Sequence, residues 1–143
     1  MSSYLSFYLK PKDKPDAKPM LFISYSRASD VYHWFYEELN PAFIGNDDKP
    51  KYSELSADDC KRVLDAAKEN LRSTNQHFTD RIEAFQKLTN VDAETVNAYT
   101  QDYTETKKFI RELEETVAEL ECIYYWVSEI IYSDFEKVLI NID

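Results

Sequence analysis

Residues 57–132 read ADDCKRVLDAAKENLRSTNQHFTDRIEAFQKL, then TNVD, then AETVNAYTQDYTETKKFIRELEETVAELECIYYWVSEIIY. In the second segment apolar or near-apolar residues fall at Val96, Tyr99, Tyr103, Thr106, Ile110, Leu113, Val117, Leu120, Tyr124, Val127 and Ile131. That alternation of three and four is a heptad seam. The first segment carries its own at Cys60, Leu64, Ala67, Leu71, Thr74, Phe78, Ile82, Phe85 and Leu88. Only Thr89–Asp92 separates the two, so the chain folds back on itself. The residue numbers of Leu64/Val117, Leu71/Ile110, Phe78/Tyr103, Ile82/Tyr99 and Phe85/Val96 then share one sum, 181. A constant sum is the arithmetic of an antiparallel pair. Thr74 and Thr106 interrupt the seam at one level, a polar layer that holds register.

Outward from this hairpin the chain is short and strand-like. Ser3–Lys10 alternates Tyr4, Ser6, Tyr8 with Leu5, Phe7, Leu9, and Met20–Tyr25 is a second β-rich run. The Pro- and Lys-rich stretch between them is a loop, so the two strands pair antiparallel. Ser26 or Ser29 caps a short helix with Val31, Phe35 and Leu39 on its apolar stripe and Trp34 beside it; Pro41 ends it. An irregular stretch follows to Tyr52, and Ser56 caps the first long helix. The far end of the second helix, from Ile123 to Tyr132, is apolar on nearly all sides and needs burial all round. Ser133-Asp134 breaks it, and residues 137–142 make a third strand. The expected architecture is α+β, mainly α: one domain over 1–143, with a three-stranded antiparallel sheet and one short helix as base (1–56 and 123–143) under a coiled-coil-like arm (57–122).

The chain is long enough for one core but not two. Its formal charge of −10 is unevenly spread: residues 1–56 carry seven basic and eight acidic residues, and residues 57–143 carry ten and nineteen. Acid disfavours direct contact with nucleic acid or anionic membrane and suits a basic protein surface. The single Gly argues against nucleotide-cradling loops of the usual kinds. No run reaches transmembrane length and no secretory leader is evident, so a soluble cytoplasmic protein is expected. Cys60 and Cys122 are too few for a disulfide framework and read as two buried, inert thiols. His33 and Glu37 stand at helical i,i+4 spacing, but two ligands do not make a metal site, and a surface ion pair is the simpler reading. Neither a metal nor another cofactor is expected.

Two resemblances bear on function. Phe22–Arg27 (FISYSR), followed by Asp30 and an aromatic helix, resembles the opening strand and first helix of TIR domains. That family implies a flavodoxin-like parallel sheet and, in some members, NAD cleavage by a glutamate on a later helix. No segment here matches the glutamate's motif, and heptad helices stand where strands and helices should alternate. The two ends, MSSYLSFYLKPK (1–12) and SDFEKVLINID (133–143), look similar to small uncharacterised proteins of tailed bacteriophages. That likeness implies an inhibitor or adaptor acting on a host protein, and no role for any residue.

The expected activity is therefore non-enzymatic protein binding. Glu112, Glu115 and Glu119 follow at three and four, share one outward face of the second helix, and are the candidate contacts for a basic partner. Lys68 and Arg72 of the first helix could instead neutralise them across the hairpin. Tyr32 and Tyr36 of the short helix are the alternative contact surface. Self-association through exposed helix faces, giving a homo-oligomer, is the structural alternative.

Overall fold

A computed structural model describes residues 3–14, 16–39, 52–130 and 135–142. Along the chain come β1 (Tyr4–Pro11), β2 (Met20–Ser26), α1 (Asp30–Glu38), β3 (Ser53–Leu55), α2 (Ala57–Gln86), α3 (Ala93–Glu129) and β4 (Phe135–Ile142). The fold is α+β and mainly helical, as the periodicities predict. The expected irregular stretch from Pro41 is outside the described residues as far as Lys51, as are Ile131, Tyr132 and the helix break at Ser133-Asp134.

The sheet has four strands rather than three, in the order β2-β1-β4-β3. The added strand, β3, is Ser-Glu-Leu, too short to display an alternation, and it pairs with β4 through Leu55 opposite Val138. Every ladder is antiparallel. The flavodoxin-like parallel sheet implied by the FISYSR likeness is therefore not what this stretch builds. Both terminal strands lie side by side, with Leu5 opposite Ile142 and Phe7 opposite Ile140. Leu5, Phe7 and Leu9 of β1 and Val138, Ile140 and Ile142 of β4 are buried in the core with the helices, the period-two consequence of their alternation.

Each helix begins where its cap chemistry says. Ser29, not Ser26, caps α1, its hydroxyl accepting from the Val31 N–H at 3.2 Å. Ser56 and Asp59 form a capping box on α2: the Ser56 hydroxyl accepts from the Asp59 N–H at 3.0 Å and the Asp59 carboxylate accepts from the Ser56 N–H at 3.1 Å. Asp92 caps α3 by accepting from the Thr95 N–H at 2.8 Å. Asn90 takes the left-handed backbone, φ 57°, that reverses the chain between the long helices, a conformation Asn tolerates better than most residues.

α2 and α3, of 30 and 37 residues, form the expected antiparallel hairpin. Phe78 meets Tyr103 with ring centroids 5.2 Å apart, as the constant sum requires. Nearer the tip, Phe85 stacks face to face on Tyr99 at 3.7 Å, while Val96 is exposed. Arg81 spans the pair, reaching Asp102 at 3.5 Å and donating to the Thr106 hydroxyl at 3.0 Å.

The boundary between base and arm shifts. Cys60, Val63, Leu64 and Ala67 of α2 and Val117, Leu120, Ile123 and Val127 of α3 belong to the same core as the sheet and α1. The packed body thus reaches past residue 57 on one helix and below residue 123 on the other. At the apolar end of α3, Ile123, Val127 and Ile130 are buried, but Tyr125 is exposed, so burial there is not all round.

Candidate functional site

Glu112, Glu115 and Glu119 repeat at three and four along α3, so their carboxylates project from one face. The N-terminus of α1 crosses that face. The three glutamates, with Ala28, Ser29, Asp30, Val31 and Thr116, line a cleft of about 300 Å³. Thr116 is buried in its floor, and its hydroxyl donates to the Glu112 carbonyl at 3.0 Å. Among the described residues four carboxylates line the cleft, and no lysine or arginine does.

The cross-hairpin neutralisation that Lys68 and Arg72 could supply does not occur. Lys68 pairs with Glu121 at 3.2 Å, and Arg72 turns back along its own helix to Glu69. Among the described residues no ion pair engages Glu112, Glu115 or Glu119. Like charges left unpaired at this spacing repel, and together they make a field that attracts cations.

Glu119 also borders a second, apolar cleft. Phe22, Ile23 and Tyr25 of β2 face Cys122, Ile123 and Trp126 of α3 across a slot of about 330 Å³, floored by Phe7. The Phe22 and Trp126 rings stack at 4.5 Å, 9° from parallel. Burial first, and then the Glu119 carboxylate beside it, holds the Tyr25 hydroxyl well above its ordinary pKa. One glutamate is therefore shared between an acidic cleft and an apolar one.

The other predicted contacts fare differently. Tyr32 is 4% exposed and belongs to the core, so it is not a surface contact. Tyr36 is 46% exposed and stacks on Tyr32 with centroids 5.9 Å apart. Neither lines the acidic cleft or the slot. Of the two thiols, Cys60 is buried as expected, but Cys122 is exposed on the slot wall. His33 is exposed, and no group of three potential metal-ligating side chains occurs among the described residues. No described helix is long and apolar enough to cross a membrane.

Periodicity picks out the glutamate face but not the slot. The signal for the slot is the unbroken apolar run Met20–Ile23, which puts apolar side chains on both faces of one strand. Compared with protein-family models, curated proteins and solved structures, the chain matches none.

Proposed function

We propose that the chain is a non-enzymatic protein-binding protein that docks a basic surface of its partner on the acidic cleft of Asp30, Glu112, Glu115 and Glu119. It acts as an inhibitor or adaptor, the class implied by the phage-protein likeness of its two ends, and the partner is then a host protein. The observation that carries this reading is that, among the described residues, no cation lines a cleft with four carboxylates. A carboxylate cluster kept only for solubility would gain from the lysine and arginine one helix away, yet both are engaged elsewhere.

The test is charge reversal. Partner captured on the wild-type protein should bind Glu112→Lys/Glu115→Lys/Glu119→Lys more slowly, because steering by complementary charge acts on association. Wild-type binding should also weaken as salt shortens the screening length below about 8 Å. Because Glu119 also lines the slot, the Glu112→Lys/Glu115→Lys pair separates lost steering from a disturbed slot. Equal binding by both variants, without salt dependence, would place the interface elsewhere.

Self-association is the second reading, favoured by one observation: Met20, Leu21, Phe22 and Ile23 of β2 are exposed at the sheet edge. Mass that rises with concentration in light scattering would support it.

A further inference from the structure

The two edges of the sheet are built differently. β3 is three residues long, and Glu54 in it faces Lys137 at 3.9 Å; shortness and charge are the usual guards of an edge. β2, at the other end, has seven residues, MLFISYS, with no charge and no proline. Leu21 is 60% exposed and Phe22 54%. Half of this strand's backbone N–H and C=O groups point away from β1, and among the described residues no strand pairs with them.

The slot is continuous with that edge. Phe7 pairs with Ile23 and Tyr8 with Leu21, so Phe22 has no partner across the ladder. Such a bulge re-aims side chains, and here the consecutive Phe22 and Ile23 both line the slot. Its 330 Å³ lies at the small end of the range of about 300–1,000 Å³ for ligand sites, the scale of a side chain rather than a cofactor.

We propose that the slot seats one large apolar side chain of an extended partner segment lying along β2, with a Lys or Arg of the same segment meeting Glu119. This rests on the basic-partner reading above and assigns its recognition element. Charge decides the occupant. Lys18 and Arg27 flank β2, so the segment's cation belongs beside α3, at Glu119 and the acidic cleft beyond, and not at the segment's ends. A second copy fits poorly: its β2 has no cation to offer Glu119, it repeats the bulge, and each copy carries a formal charge of −10.

The test selects a displayed random-peptide library on the immobilised full-length protein, followed by fluorescence titration of the enriched peptides. Trp34→Phe leaves Trp126 as the reporter, since the chain has two tryptophans. The expected peptides combine a large apolar residue with a neighbouring Lys or Arg and shift the Trp126 emission. They should lose at least about tenfold in affinity on Phe22→Ser, the scale of an unburied aromatic side chain. Phe22 is exposed, so far-UV circular dichroism should stay unchanged; Trp126→Ala, read by peptide anisotropy, provides a second slot variant. Loss of affinity on Glu119→Gln supports the charge contact.

No enrichment overturns the proposal. Peptides indifferent to both Phe22→Ser and Trp126→Ala but weakened by Glu112→Lys/Glu115→Lys overturn the slot and leave the basic-partner reading standing. Apolar peptides without a cation, sensitive to Phe22→Ser alone, overturn the Glu119 contact and weaken the basic-partner reading with it. A concentration-dependent dimer abolished by Phe22→Ser assigns the edge to a second copy and overturns the partner segment.

Discussion

Cys60 and Cys122 lie on partner helices and differ in what surrounds them. Cys60 is 2% exposed in the core, where burial, with the Asp59 carboxylate adding to it, pushes its thiol up to about 12. Thiolate is the nucleophile, so near pH 8 Cys60 is both shielded and almost wholly protonated. A maleimide should therefore modify one thiol quickly in the native protein and the second only in denaturant. Two equally fast thiols would place Cys60 outside the core. Residue-level burial was the least legible part of the sequence, and Tyr32 shows why. The stripe Val31, Phe35, Leu39 assigns one face of α1 to the core, yet this nine-residue helix touches β1, β2, α2 and α3. Elements on several sides bury a wider arc than one stripe, and Tyr32 falls within it. Cys122 errs the other way: near the seam in sequence, it opens onto a slot that exists only because β2 stands opposite.

At the scale of the element, the hairpin was legible because a seam leaves the same mark on two helices. The cap at Ser56 was likewise legible as a short polar residue before a periodic run, whereas Ser26 and Ser29 stood as equal candidates for α1 and Asp92 was read only as part of the connector. The pairing near the tip could not. Phe78 and Tyr103 sum to 181, whereas Phe85 and Tyr99 sum to 184. A straight helix of 3.6 residues per turn drifts by about 20° per heptad against a strict seam, so one constant sum does not survive the length of the arm. Burial along the arm sets a stability gradient. Leu64→Ala, in the fully packed part, should cost about 2–5 kcal/mol, transfer energy and cavity together. Val96→Ala, on the exposed tip, should stay within about 0.5 kcal/mol. Urea unfolding of both variants checks this; similar losses would mean that the tip is packed as tightly as the base. A double-mutant cycle on Phe78 and Tyr103 should return the coupling of an aromatic pair, about 0.5–1.5 kcal/mol, and additive losses would refute the contact.

For the whole molecule, the decisive element is the last. Residues 137–142 read as a strand in the sequence, and termini sharing one sheet followed from having so few elements to cover the apolar end of α3. Its place in the sheet was not legible. Strand order depends on which long-range pairs form, and the three-residue β3 announces itself by no pattern at all. β4 lies between β1 and β3, making a ladder with each, so it is an interior strand contributed by the C-terminus. Val138, Ile140 and Ile142 are almost fully buried in the core that also holds Leu64 and Val127. Removing residues 137–143 would take away three core side chains, leave β3 without its ladder, and turn β1 into a second open edge opposite β2. A sheet reduced to a two-stranded hairpin has little stability of its own, and the helices would lose the surface they pack on. The truncated chain should therefore aggregate or bind a hydrophobic dye, with its helical far-UV signal largely retained and its near-UV aromatic signal lost, as expected when packing fails before helices do. A truncated protein that stays soluble and keeps the near-UV spectrum would show that the core does not depend on β4, contrary to the burial of those three side chains.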